Sequence, residues 1–522
     1  MSFGEFIRKN GLKALLFGLI VEMIYSPVVC TNNYCADLEY VAGAKGSIYN
    51  WNELGRYTLL LIKKLCFTPY NPVLESILFV IISFVAVTSL AYLFYLTAEN
   101  LESLVCFILS AAALVFPTFA EQYYFKFQSA EVFFGILLLI FSGILLIKFL
   151  KDKKPLLFVF SILLCVLSFG IYQSMLNIIM IIYAGTFTVF ALEKRFKDTV
   201  KDAIWYVLHF FASFLINKII TTIFCESGSY FSDKIMWKTY PFATCFHFIK
   251  YYFRVVLLAE KATYSFSFII SVVLSLIALL ILSIKTKNKA LTVLLGIFGL
   301  IILPFCIAII QGFEPDSRTQ LALPFSVAYL ILFSIKVFTK YLSMFKENTE
   351  GEENAKSQRN FKTAAIFISF FILLLNLVPT ARLVYSRSVI NKADNLRIEK
   401  IASDLENYNC SAFSDDSSPV IFIGKLEGES NSLSVKPDEK NRDYILISVF
   451  SLDADTEPKF FFSSNRILGA MENAGYSFKK PSTSEFVKEA ESEAKSLPSF
   501  PDDGYIKEFD NYVLVNLSNT SE

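Results

Sequence analysis

Long apolar stretches with few charges recur along this chain, and no other feature limits its fold so sharply. A stretch of that kind placed in lipid must satisfy every backbone N–H and C=O within the protein, which leaves the α-helix as the local solution. About 20 apolar residues in helical form cross the roughly 30 Å of a bilayer's hydrocarbon core. Segments near that length occupy 12–29, 73–96, 104–116, 132–149, 156–169 and 175–192, then 203–224, 264–284, 290–310, 321–338 and 364–383. The expected fold is mainly α: a polytopic bundle of about 11 transmembrane helices, in which 104–116 is the shortest segment. Composition points the same way, because 54% of the 522 residues are hydrophobic and 54 are Phe, against about 45–50% apolar in a soluble domain. The first stretch carries Glu22 and lacks a small-residue cleavage site, so it reads as a retained span and not as a signal peptide.

Positive charge orients the spans, since cytoplasmic loops retain Lys and Arg. Arg8, Lys9 and Lys13, then Lys151, Lys153 and Lys154, then Lys194, Arg195 and Lys197 fall in alternate loops, followed by Lys285, Lys287 and Lys289 and by Lys346, Lys356, Arg359 and Lys362. An odd number of spans with a cytoplasmic N-terminus puts the C-terminal region outside. The loops at 31–66, 117–131, 225–263 and 311–318 are then external, and they carry acids, amides and aromatics. After Tyr385 the composition becomes that of a soluble α/β module, giving an expected transmembrane domain over 1–384 and an extracytoplasmic α/β domain over 385–522. The latter holds an amphipathic stretch at 393–408, apolar runs at 420–423 and 444–449, helical 466–474, a charged helix at 483–497 and a hairpin ending at 512–517.

Several function classes are disfavoured at once. A formal charge of +1 offers no field for nucleic acid. The nine Cys lack metal spacing, and only Cys30 with Cys35, or Cys225 with Cys245, share a segment that could face an oxidising compartment. His209 lies in an apolar span and His247 in a loop, so no His-rich ligand set forms and no metal is assigned. Neither GxxxxGK[ST] nor a strand-to-helix GxGxxG unit is present, which argues against nucleotide-driven transport.

Four motifs recur in an informative order: WNELGRY after an acidic loop, FPTFAEQYYFKFQSAE after the third span, FGIYQS at the end of the fifth, and EPDSRTQLALP before the tenth. With VIFIG in the tail and the terminal SFPDDGYIKEFDNYVLVNL, the chain resembles the type II bacterial O-antigen glucosyltransferase family over most of its length. The resemblance implies a C-type membrane glycosyltransferase of the bacterial cytoplasmic membrane. Such an enzyme would take a hexose, with glucose the first expectation, from a polyprenyl-phosphate donor. It would pass it to a cell-surface polysaccharide on the external face.

Site expectations follow from that chemistry. A general base must take the acceptor hydroxyl proton. Family members commonly carry a paired acid in the first external loop, where this chain has Ala36 followed by Asp37, so Asp37 is the first candidate and Glu39 the second; the bland alternative is a solvated loop acid. Arg56 and Arg318 sit beside spans at the outer surface, where a guanidinium can pair bidentately with phosphate. Snorkelling competes for Arg56, and an ion pair with Glu314 or Asp316 competes for Arg318. Glu121, Gln122, Lys126 and Gln128 interrupt aromatic positions in a mixture suited to a sugar, although an interfacial aromatic belt accounts for Tyr123 and Tyr124. Tyr172 and Gln173 are candidates for the donor head group, against interhelical hydrogen bonding. No cofactor is expected, because fixed Arg or Lys charges can stabilise a monophosphate leaving group, with room for a divalent ion beside Asp37 and Glu39. Two other classes compete: a transporter of lipid-linked saccharide precursors, which would show repeats and broken helices at mid-membrane, and a non-catalytic scaffold whose tail binds glycan.

Overall fold

Proline and capping residues set where the helices begin. In the computed structural model, Ser2 and Glu5 form a reciprocal capping box at the start of helix α1 (Phe3–Val29), with Glu5 N donating to Ser2 Oγ at 3.3 Å and Ser2 N to Glu5 Oε2 at 2.7 Å. Helix α2 (Asn50–Glu53) and helix α3 (Tyr57–Cys66) are short. Asn71 caps α4 (Pro72–Thr97), accepting from Val73 N and Leu74 N at 3.0 Å each, with Pro72 in the first turn where its missing N–H costs nothing. The same use of proline opens α6 (Pro117–Tyr124) after α5 (Ser103–Leu114), and α8 (Pro155–Phe169) after α7 (Ser129–Asp152). Then come α9 (Met175–Ala191), α10 (Phe196–Phe224), α11 (Phe242–Leu257), α12 (Ser267–Lys285), α13 (Lys287–Ile302), α14 (Cys306–Gln311), α15 (Leu323–Val337) and α16 (Glu352–Leu405). The structure describes residues 1–31, 34, 35, 50–66, 71–99, 101–226, 233–342, 352–436, 441 and 443–518.

Each apolar segment read from the sequence coincides with a helix. Among the described residues, eight helices are long and apolar enough to cross a bilayer, or nine if α5 and α6, bent by 50° at their junction, form one span. Helices α8 and α9 are apolar but shorter, at 15 and 17 residues. The chain is therefore a multi-pass, mainly α membrane protein. It divides into two compact units, one of Met1–Cys30 with Ile48–Ala381 and the other of Thr31–Ser47 with Arg382–Glu522.

Within the first unit α15 is central, every one of its residues from Leu323 to Val337 being buried. Helix α9 approaches it so closely at Gly185 that a Cβ there would overlap the Tyr329 ring, so this crossing needs glycine. Helix α7 packs on α4 and α8, and α1 on α4 and α5. Helix α10 is peripheral, its buried residues being Thr199, Asp202, Tyr206, His209 and Ser213. His209 fixes it to the bundle, with Ser161 Oγ 2.8 Å from Nε2 and Tyr183 Oη 2.5 Å from Nδ1, a polar tie between helices.

One segment departs from expectation. Residues 117–131, read as an external loop, instead form α6, a 3₁₀ turn at Lys126–Gln128 and the start of α7, all of them buried. The cause is local. Tyr25 Oη, at 3.0 Å and 3.2 Å from the Leu114 and Phe116 carbonyls, satisfies the end of α5, and Pro117 starts a new helix at an angle that buries Phe119, Tyr123, Phe125 and Phe127.

The second unit carries a three-stranded sheet in the order β1–β3–β2, from β1 (Val420–Ile423), β2 (Ile506–Glu508) and β3 (Val513–Asn516). Strand β1 runs parallel to β3, pairing Val420 with Val513, while β2 and β3 form the expected hairpin, pairing Ile506 with Val515. Helices α17 (Phe461–Asn473) and α18 (Glu485–Ala494) complete it. Ile421, Ile423, Phe460, Val487, Ala490, Tyr512 and Leu514 form its core. Buried Asn516 donates to the carbonyls of Ala494, Leu497 and Pro498 at 3.0–3.2 Å, closing the C-terminal end of α18. Of the apolar run 444–449, Tyr444–Leu446 forms a 3₁₀ turn and not a strand.

Candidate functional site

The WNELGRY motif builds a turn that delivers one guanidinium. Gly55 takes φ +70°, a left-handed conformation that glycine adopts without strain. Gly55 N donates to Asn52 O at 2.8 Å and Arg56 N to Trp51 O at 2.9 Å, so α2 closes on itself and Arg56 enters α3. The first turn of α3 is held by the Gly170 carbonyl, which accepts from Thr58 N at 2.9 Å and Leu59 N at 3.2 Å. That bond brings the FGIYQS motif against WNELGRY. The Arg56 guanidinium then lies 4.6 Å from the Tyr172 ring centroid and donates to Gln128 Oε1 at 3.1 Å, while Trp51 stacks on Phe127 with centroids 5.5 Å apart.

The segment touched by Arg56 is also reached from the EPDSR motif. Arg318, in the 3₁₀ turn Ser317–Thr319, sits over the Phe125 ring at 4.2 Å and pairs with Asp316 at 3.3 Å. Lys234 lies 3.5 Å from the same carboxylate. Burial works to raise the Asp316 pKa, but Arg318 and Lys234 outweigh it and hold the carboxyl below its ordinary range. Two guanidiniums thus bear on a single buried turn, Phe125–Gln128. Lys126 is itself in that turn and 4% exposed.

Charges that the sequence reading did not single out support this turn. Lys63 on α3 pairs with Glu75 on α4 at 2.9 Å and with Glu131 at the start of α7 at 2.7 Å, all three side chains being at most 2% exposed. Glu75 Oε1 also accepts from Ala130 N at 3.0 Å. The network therefore ties the helix that follows Arg56 to the turn that holds Gln128. The signal was available: ionisable residues inside apolar stretches are costly and call for partners.

Glu121 and Gln122 lie on α6, at 1% and 0% exposure. Among the described residues neither amide atom of Gln122 has a hydrogen-bond partner, and Thr118 Oγ1 and Tyr123 Oη on the same helix are also unsatisfied. Gln173 donates to the Leu54 carbonyl. It helps to line a mixed cavity of about 420 Å³ with Glu53, Phe169, Asn217, Lys218, Thr221 and Glu226, a volume within the range of small-molecule sites. Asn217 receives the Tyr57 hydroxyl at 3.0 Å, fixing the cavity wall next to Arg56. The structure thus gathers Arg56, Lys126, Gln128, Tyr172 and Arg318 around one turn and places Gln173 beside them. Asp37 and Glu39 lie outside the described residues. Among the described residues no group of three or more His, Cys, Asp or Glu is placed to hold a metal ion.

The family model described as Glucosyl transferase GtrII matches residues 28–335, a span that includes every candidate residue named above. No curated protein matches the chain.

Proposed function

Because the chain belongs to the Glucosyl transferase GtrII family, we propose that it transfers a hexose, glucose in the first instance, from polyprenyl phosphate to a cell-surface polysaccharide at the external face. At the coarser level it is a membrane glycosyltransferase, as the family and the apolar helices establish. The finer reading takes all eleven apolar segments as spans. It also takes the N-terminus as cytoplasmic, 1–384 as the transferase domain, and 385–522 as an extracytoplasmic module that orients the polymeric acceptor.

The observation that carries the reading is the convergence of Arg56 and Arg318 on the buried turn that also holds Lys126. Three fixed cations within one low-dielectric neighbourhood suit a phosphate that gains charge as it leaves. In the proposed step the acceptor hydroxyl oxygen attacks the anomeric carbon and its proton passes to Asp37 or Glu39. The bond from the anomeric carbon to the phosphate oxygen breaks, and the electron pair stays on polyprenyl phosphate beside Arg318 and Arg56. Tyr172 and Gln173 line the donor side, while Glu121, Gln122 and Lys126 supply groups for the sugar.

The 50° break between α5 and α6 favours one other reading, a transporter of lipid-linked saccharides, because broken helices mark such proteins. Purified protein in detergent, given synthetic polyprenyl-phosphate glucose and an oligosaccharide acceptor, separates the two. Glycosidic product and free polyprenyl phosphate are expected. Donor binding without product, together with donor translocation in proteoliposomes, would replace the transferase with the transporter.

A further inference from the structure

The C-terminal unit has a cavity of its own, of about 300 Å³, walled by Tyr34, Asn395, Glu399, Asn473 and Tyr476. All five belong to that unit, Tyr34 through its 31–47 segment and the others through 382–522. Asn395 and Glu399 are four residues apart on α16 and so share one face of it. Ile398 and Ala470, also in the wall, are buried at 2% and 1% exposure and give it a firm apolar base. The end of α17 brings in Tyr476. Gly475 takes φ +98°, its N–H donates to the Glu472 carbonyl at 3.1 Å, and Tyr476 N donates to the Met471 carbonyl at 2.9 Å, the paired bonds with which a glycine ends a helix and turns the chain. Past that turn Ala412 N donates to Ser477 O at 3.1 Å and Lys479 N to Cys410 O at 2.9 Å. Tyr476 is therefore held from both sides.

The chemistry of this wall selects a class of ligand. A tyrosine ring is an apolar face with a polar tip, which suits the C–H side and the hydroxyls of a pyranose together. Asparagine amides both donate and accept, and a carboxylate accepts from neighbouring hydroxyls. Among the described residues that line the cavity, Glu399 alone is charged, and neither Lys nor Arg is among them. A phosphate or a uronate placed there would meet a like charge with no counter-ion in the wall. The volume stands at the lower end of small-molecule sites, which fits one stretch of glycan. We propose that this cavity binds a neutral saccharide segment of the polymeric acceptor, with Tyr34 and Tyr476 packing on its rings and Asn395, Asn473 and Glu399 bonding its hydroxyls. The proposal rests on the reading of the C-terminal unit as an acceptor module and gives that module a site. Tyr34 stands three residues before Asp37 in the sequence, so the loop that carries the candidate base also supplies part of this wall.

Binding can be read without any donor, by saturation-transfer NMR on the full-length protein in nanodiscs. The probes are the neutral malto-, cello- and mannopentaose, the anionic pentagalacturonate and the amine-bearing chitosan pentamer. A neutral pentasaccharide should bind, with the two charged probes weaker by about tenfold or more. Tyr476→Ala and Ala474→Trp, the second filling the cavity from an exposed lining position, should each raise Kd about tenfold or more. Glu399→Gln should weaken the neutral probe and narrow its lead over pentagalacturonate. Phe462→Ala removes an exposed aromatic about 16 Å away, at the other end of α17, and should change nothing. Glu399 and Ala474 are exposed, so an unchanged melting temperature in their variants separates lost binding from lost folding. Absence of binding by all three neutral probes, preference for the chitosan pentamer, which would make this a cation site, or a Kd unmoved by Ala474→Trp and Glu399→Gln each overturns the proposal. With an accepted oligosaccharide in the transfer assay, the acceptor KM should rise in the same variants while the donor KM holds. Transfer with an unmoved acceptor KM removes the site and leaves the transferase reading. Glycan bound in the cavity with no transfer from any prenyl donor keeps the site and removes that reading.

Discussion

At the scale of single residues, a base and a phosphate partner should fail in different ways. Asp37→Asn keeps shape and hydrogen bonding but removes the proton acceptor, so turnover should drop by about 10² to 10⁴ with donor affinity nearly unchanged. If Asp37→Asn keeps full activity while Glu39→Gln loses it, the base lies two positions along; if both keep it, this loop does not supply the base. Arg318→Ala should instead raise the donor KM and lower turnover together. Lys at 318 should rescue only in part, because it lacks the planar fork and the stacking that places the Arg318 guanidinium 4.2 Å from the Phe125 ring. A Lys variant equal to wild type would reduce Arg318 to a point charge. Lys63 belongs to a different class. Lys63→Ala leaves Glu75 and Glu131 buried beside each other without their shared cation, a loss of about 3–5 kcal/mol for a broken buried pair. Melting in detergent should show a large drop, and an unchanged melting temperature would mean that the network is not structural.

At the scale of elements, α6 is where sequence and structure part most instructively. The FPTFAEQYYFKFQSAE motif was legible as a mixture of amides, charges and aromatics, yet its polar residues suggested a solvated loop. Only the tertiary contacts of Tyr25 with the end of α5 explain why it turns inward as a helix. The long spans were legible because apolar length is a property of the sequence alone, and β1 and the β2–β3 hairpin because short apolar runs bounded by turn residues have few alternatives. The Lys63–Glu75–Glu131 network was not, since its members come from three helices and no spacing rule joins them. Helix α6 also offers a sharp test. Gln122 is fully buried and its amide atoms have no partner among the described residues, a condition that ordinarily costs stability. Gln122→Leu should leave the melting temperature equal or higher, while kcat/KM falls about tenfold if the amide is kept for a sugar hydroxyl. Lower stability with unchanged kcat/KM would assign Gln122 to the fold alone.

At the scale of the whole molecule, the decisive question is which side of the membrane holds the C-terminal unit, because a polymer outside the cell can be handled only by a module that lies there. The argument is electrostatic and arithmetic. Lys and Arg clusters at 8–13, 151–154, 194–197, 285–289 and 346–362 fall at every second turn of the chain, and on the proposed topology retention of positive charge in the cytoplasm keeps those turns inside. One further span, at the apolar start of α16, then carries the chain out. Parity makes this sensitive: if α8 and α9, shorter than the other apolar helices, stayed together on one side as a hairpin, every later cluster would keep the same assignment while the turn between them, with Tyr172 and Gln173, would move to the cytoplasmic side. Skipping any single span would invert everything that follows it. Ser430 is exposed in the C-terminal unit and Ser357 lies in the polar linker before α16 reaches its apolar stretch. A membrane-impermeant maleimide applied to intact spheroplasts should therefore label Ser430→Cys, over the background of the native cysteines, and should reach Ser357→Cys only after permeabilisation. Labelling of Ser357→Cys in intact cells with Ser430→Cys shielded would invert the topology. It would place the C-terminal module, and with it the proposed acceptor site, on the side where no surface polysaccharide is found.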